Sequence, residues 1–125
     1  MEAKPAKSRH VVLIVEDEPL VRLMGADLLA EAGFEVLEAG NAGEALRILE
    51  ATPEICVVFS DVEMPGSLDG LGLARKICRR WPRIGILLTS GHCIRAETIP
   101  REGRFLAKPY DGQALIRRIE EIVNP

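Results

Sequence analysis

Aromatic side chains are scarce: three Phe, one Tyr and one Trp occur among 125 residues. A core built from this chain is therefore aliphatic. Among the basic residues, the set Arg75, Lys76, Arg79 and Arg80 has no aromatics interleaved to stack nucleobases. Cysteine is sparse too. Cys56, Cys78 and Cys93 are odd in number and far apart, no C-x-x-C occurs, and His10 and His92 make no zinc spacing with them. A disulfide framework and a structural zinc site are excluded, and reduced thiols are expected. No sign of charge dominates, since 16 basic and 19 acidic side chains leave a formal net charge of -3. The broad basic footprint of a nucleic-acid binder is missing. No run reaches the roughly 20 apolar residues of a membrane span. The leading MEAKPAKSRH is basic, but VVLIV behind it is too short for a signal-peptide core and meets acids at once. A cytoplasmic protein, with neither nucleic acid nor membrane as partner, is expected.

What is present suits one domain. Residues 1–9 read as a disordered lead and 10–125 as the domain. HVVLIV, ICVVFS and IGILLT are short, continuous apolar runs of the kind found in strands buried on both faces. FEVLEA and RFLA complete five strands. Between them lie amphipathic segments with helix signals. Pro19 fits a first helical position after Asp17 or Glu18 as cap, and Leu20, Met24 and Leu28 predict the inner stripe of that helix, which Gly33 ends. Asn41 caps a second helix with Ala42, Ala45, Leu46 and Leu49 inward, and Pro53 stops it. Asp69 caps a third with Leu71, Ala74, Ile77 and Cys78 inward. CIRAETIPREG is a weak fourth helix, and Asp111 caps a fifth that buries Leu115, Ile119 and Ile122. Strands alternating with amphipathic helices predict an α/β fold, a doubly wound five-stranded parallel sheet.

The polar residues then fall in one place, because loops after the carboxyl ends of parallel strands share one edge of the sheet. Strand one ends in Glu16, Asp17 and Glu18; strand three in Ser60 and Asp61; strand four in Thr89, Ser90, Gly91 and His92; strand five in Lys108 and Pro109. Acids clustered at the end of a core strand need something to offset their repulsion. Two unit charges about 4 Å apart, at an effective dielectric near 20, repel by roughly 4 kcal/mol.

With LIVEDEP, SDVEMP followed by DG, TSGH and FLAKPY in this order on these elements, the chain resembles the receiver domain of two-component response regulators, of the chemotaxis-regulator type. The resemblance covers residues 10–123. It implies a flavodoxin-like (βα)5 fold with strand order 2-1-3-4-5. It also implies that Asp61 is the phosphoacceptor, a carboxylate able to form an acyl phosphate. By the same resemblance Asp17 and Asp61 ligate Mg²⁺ directly, Glu16 acts through water, and the backbone carbonyl of Glu63 adds a ligand. Oxygen donors suit that cation. Lys108 pairs with a phosphoryl oxygen, Ser90 supplies the hydroxyl that binds the phosphoryl group, and Phe105 matches the aromatic switch position. Thr89 then faces the other side of the sheet. The implied partners are a histidine kinase or a histidine phosphotransfer protein, and a downstream protein that reads the face around the fourth helix, fifth strand and fifth helix. A stand-alone receiver is expected, or a receiver fragment of a hybrid kinase acting as a phosphotransfer sink, with only self-phosphorylation and self-dephosphorylation as its chemistry.

Two departures from the family pattern stand out. DVEMPGSLDG, from Asp61 to Gly70, is one residue longer than usual, and Glu63 puts a carboxylate beside the acceptor. Glu63 and His92 flank the expected path of hydrolytic water, so they are expected to tune the lifetime of the phosphoryl group. Arg75, Lys76, Arg79 and Arg80 span barely two helical turns and read as a solvated helix face. A flavodoxin-like electron carrier would need a phosphate-cradling loop after strand one, where three acids stand instead. An aspartate-dependent phosphatase would need a substrate pocket that nothing in the chain signals.

Overall fold

The computed structural model of the protein describes residues 10–92 and 103–124. The expected lead, Cys93 and the helix expected in CIRAETIPREG fall outside these residues, except that Gly103 opens a strand. The elements are β1 Val11–Val15, α1 Pro19–Glu31, β2 Glu35–Ala39, α2 Ala42–Ala51, β3 Ile55–Asp61, α3 Gly70–Arg80, β4 Gly85–Ser90, β5 Gly103–Ala107 and α4 Gly112–Val123. All strand pairs are parallel, and the order is β2-β1-β3-β4-β5. The five aliphatic runs therefore form the sheet that their composition predicts.

Each face of the sheet has its own core. On one, Leu13, Val15, Val58, Ile86 and Leu88 pack with Leu49 of α2 and with Leu73 and Ile77 of α3. On the other, Val12, Ile14, Val57 and Leu87 pack with Leu29 of α1 and with Leu115 and Ile119 of α4. Alternate residues of one strand point to opposite cores, so a continuous apolar run is what a two-faced sheet requires. Asn41, Asp69 and Asp111 cap α2, α3 and α4, their carboxylate or amide oxygens accepting from Glu44, Gly72 and Ala114 N–H groups at 2.8, 2.9 and 2.7 Å. These satisfy helix donors that have no partner inside the helix.

The inner face of α1 corrects the expectation. Leu20 and Met24 are 75% and 67% exposed, and Leu28 is half-buried. The helix instead buries Gly25, Ala26 and Leu29. The reason is close approach. A β-carbon on Gly25 would lie 2.6 Å from Ile14 Cδ1, so the small residues let α1 lie directly against β1. Neither Asp17 nor Glu18 caps α1 through its side chain; Glu18 is the N-cap, without a side-chain hydrogen bond.

The pairing register levels the strand ends. Val15 pairs with Ala39 and Ser60, Asp61 with Thr89, and Ser90 with Ala107. The ladder continues past the strands: Val62 N–H donates to Thr89 O, and Lys108 N–H to Ser90 O, both at 2.9 Å. The chemistry-bearing side chains are thus mounted on paired backbone.

Candidate functional site

At this edge Glu16 and Asp61 are buried, 4% and 6% exposed, and Asp17 is half-buried. One oxygen from each of the three carboxylates lies within 4.8 Å of the others. Lys108 reaches in from the end of β5, its Nζ 2.9 Å from Asp61 Oδ2 and 3.3 Å from Glu16 Oε1. The ammonium thus offsets part of the carboxylate repulsion. Glu18 is exposed and contributes only its backbone N–H, which donates to Glu16 Oε2 at 3.1 Å. Asp61 Oδ1 accepts from Glu63 N–H at 3.1 Å, which orients the carboxylate toward the loop after β3.

The electrostatics follow from this crowding. Burial pushes the Glu16 carboxyl up from its ordinary 4.5 to about 6; the nearby Asp61 charge adds to this, while the Glu18 N–H and Lys108 oppose it. Burial acts to lower the Lys108 pKa, but the hydrogen bond and charge of Asp61, with Glu16 behind, outweigh it and raise it. Lys108 is therefore a fixed positive charge at neutral pH. Burial also raises the Tyr110 phenol; the Lys108 charge opposes this, and the charges of Glu16 and Asp61 add to it. A cluster of hard carboxylate oxygens, too close together to be comfortable without a cation, has the donor chemistry of a Mg²⁺ site. Glu16, Asp17 and Asp61 fit that ion, and the Glu63 backbone lies two positions beyond Asp61.

The remaining expected residues stand beside this cluster. Ser90 is buried, and its hydroxyl donates to Glu63 Oε2 at 2.6 Å, not to Asp61. The same hydroxyl oxygen accepts from His92 N–H at 2.9 Å. His92 Nδ1 lies 3.4 Å from Glu63 Oε1. Thr89 pairs with Asp61 in the register, lines a small cavity with Glu16 and Asp61, and donates to Leu106 O at 2.7 Å, tying β4 to β5. Phe105 is half-buried against the core shared with α2 and α3, and its carbonyl accepts from Arg118 Nη2 at 2.7 Å. The Lys108–Pro109 peptide is cis.

Three contributors escaped the sequence reading. Arg22 donates from Nη1 to Glu16 O at 2.8 Å and from Nε to Glu38 Oε1 at 3.2 Å, fixing the turn that carries the acids. Its place four residues after Glu18, in the first turn of α1, was the available signal. Tyr110 follows the Lys-Pro step, lines a small cavity with Glu16 and Asp61, and meets Phe59 edge-on at 5.8 Å. Gly70 lies beneath Asp61: a β-carbon there would sit 2.1 Å from Asp61 O and 2.7 Å from Val62 Cα.

Comparison with known proteins agrees with this geometry. The family model of the response regulator receiver domain matches residues 12–120. The chain is 36% identical over 118 residues to the sensor kinase CckA of Brucella abortus, covering 90% of this chain but 12% of that protein. It is 35% identical over 121 residues to the positive alginate biosynthesis regulatory protein of Pseudomonas aeruginosa, covering 91% of this chain and 47% of that protein. Among solved structures, a response regulator receiver domain protein of Clostridium thermocellum superposes with a TM-score of 0.86 at 28% identity, covering 92% of this chain and 94% of that one. The receiver domain of the hybrid histidine kinase CckA gives 0.79 at 36% identity, covering 91% and 99%. The chain thus spans about an eighth of one of these curated relatives and under half of the other. A parallel sheet of this order, three carboxylates and a lysine at its carboxyl edge, and these matches have one common meaning: the chain belongs to the response regulator receiver domain family of two-component signalling.

Proposed function

We propose that Asp61 accepts a phosphoryl group from a phosphohistidine of a kinase or phosphotransfer protein in the presence of Mg²⁺, and that the modified domain is read by another protein. A carboxylate oxygen of Asp61 forms the new bond to phosphorus as the bond from phosphorus to the imidazole nitrogen breaks. The bonding electron pair leaves with the imidazole. The observation that carries this reading is the Lys108 ammonium, 2.9 Å from a buried carboxylate held within 4.8 Å of two others. Lys108 stands where it can meet negative charge developing on the phosphoryl oxygens. Glu16, Asp17, Asp61 and the Glu63 carbonyl would hold the cation, whose chemistry when bound is neutralisation of those same oxygens.

The exposed apolar residues Leu20, Val21, Leu23 and Met24 of α1 begin three residues past Asp17 and support docking of an apolar donor surface beside the acceptor. Ser90 and Phe105 are the residues through which occupancy of Asp61 would alter the face around β5 and α4. Chemistry is limited to gain and loss of the protein's own phosphoryl group, at a rate that Glu63 and His92 influence. Incubation with acetyl phosphate and Mg²⁺, followed by intact-mass measurement, tests the proposal. Wild type should gain one phosphoryl group, and Asp61→Asn should gain none. Equal gain by both proteins, or no gain by wild type, would contradict it.

A further inference from the structure

The Ser90 hydroxyl has a single proton, and the structure commits that proton to Glu63 at 2.6 Å, a short, charge-assisted hydrogen bond. The hydroxyl oxygen is in turn held by His92 N–H at 2.9 Å, so its orientation is fixed from both sides. His92 Nδ1, 3.4 Å from the other carboxylate oxygen, helps to hold Glu63 in place. Glu63 is also tied to the acceptor, because its N–H donates to Asp61 Oδ1. One residue therefore joins the loop after β3 to the loop after β4, beside Asp61.

We propose that Glu63 is a positioning residue that latches the Ser90 hydroxyl in the unmodified domain, so that phosphorylation of Asp61 must first break the Glu63–Ser90 bond. The inference rests on the phosphoacceptor reading above and deepens it. Two effects act in the same direction. A hydroxyl that donates to Glu63 cannot donate its one proton to a phosphoryl oxygen as well. A phosphoryl group also brings negative charge next to the Glu63 carboxylate, and like charges held close together repel. Both favour the unmodified state. Glu63 is thus a resident competitor for the hydroxyl that the occupied state needs. Because the competitor sits two residues beyond the acceptor and donates to it through its N–H, release of Ser90 is coupled to a shift of the Glu63 side chain.

Equilibrium binding of beryllium trifluoride in Mg²⁺, a non-hydrolysing mimic of a phosphoryl group on a carboxylate, tests this without interference from dephosphorylation rates. Calorimetry on wild type, Glu63→Ala, Ser90→Ala and the double variant forms a cycle that isolates the pair. Glu63→Ala should tighten binding by about fivefold or more, the worth of one hydrogen bond freed for the ligand. Ser90→Ala should weaken it. In the Ser90→Ala background the gain from Glu63→Ala should shrink to the contribution of charge alone. Glu63→Gln, which keeps an acceptor and drops the charge, should lie between wild type and Glu63→Ala. Weaker or unchanged binding by Glu63→Ala, or the same gain in both backgrounds, would overturn the latch while leaving the acceptor reading intact. No binding by any of the proteins, with Asp61→Asn indistinguishable from wild type, would overturn the acceptor reading and the latch with it.

Discussion

Glu16 is the residue whose environment makes the clearest demand. Its carboxyl titrates near 6 when folded, against 4.5 ordinarily, chiefly because it is buried. Between these values the folded protein holds more protons than the unfolded chain, so the unfolding free energy falls as pH rises through that window. The contribution is fully present below 4.5 and lost above about 6, and amounts to about 2 kcal/mol. In metal-free buffer, urea midpoints should fall from pH 4.5 to 6.5 more steeply for wild type than for Glu16→Gln. Added Mg²⁺ should restore stability mainly at the higher pH, since a ligand of the folded state alone stabilises it by mass action. Removing the cationic partner should act in the opposite sense to Glu16→Gln. Lys108→Met leaves Asp61 and Glu16 without their shared cation, and we expect a loss of about 2 kcal/mol at pH 7.5 by urea unfolding, less than for a fully buried pair, together with loss of phosphoryl acceptance. These residues were legible in the chain because each ends a strand and strand ends converge. The partner of Ser90 was not legible. Glu63 lies 27 residues away, and only the level register of β3 and β4 brings the two loops together.

The elements also carry constraints of their own. The first residue of α3 must be glycine because the helix begins against the acceptor's backbone, where a β-carbon would meet Asp61 O at 2.1 Å. Gly70→Ala should push α3 off β3, costing roughly 1–3 kcal/mol as an overpacked site does. It should also slow phosphorylation by acetyl phosphate more than Gly43→Ala does, since Gly43 is exposed and has no such clash. The caps of α2, α3 and α4 and their inner residues Ala45, Leu49, Ala74, Ile77, Leu115 and Ile119 were readable from helical spacing and cap chemistry. α1 was not, because it carries apolar residues on two faces and periodicity alone does not say which one the sheet takes. The small pair Gly25 and Ala26 decides it by allowing close approach to Ile14. The face left over, with Leu20 and Met24 outward, gives a separate prediction. Leu20→Lys and Met24→Lys should leave the urea midpoint within about 0.5 kcal/mol of wild type, as exposed positions do. They should leave phosphorylation by acetyl phosphate unchanged, yet slow transfer from a phosphorylated histidine kinase or phosphotransfer protein.

For the molecule as a whole, the two cores and the carboxyl edge divide the labour. Aliphatic residues on both faces hold the sheet, and among the described residues the buried charged and hydroxyl side chains, Glu16, Ser60, Asp61, Thr89 and Ser90, lie at the one edge where strands end. The basic residues of α3 lie on its exposed side. Arg80 pairs with Glu50 at 3.7 Å and stacks 4.4 Å from the Trp81 ring centroid, while Arg75, Lys76 and Arg79 lie in solvent. No helix among the described residues is long and apolar enough to cross a membrane. The balance of a charged, cation-seeking edge against an apolar interior is what a receiver needs, because chemistry at one rim can alter surface residues without disturbing the core. The central claim is that Asp61 itself carries the phosphoryl group. An acyl phosphate on aspartate is reduced by borohydride to homoserine, so treating the protein with acetyl phosphate and Mg²⁺, then with borohydride, and sequencing the peptides reads the position directly. The account predicts homoserine at position 61, none without Mg²⁺, and none in Lys108→Met. Homoserine at Asp17 or elsewhere, or an unmodified Asp61 in wild type, would contradict it.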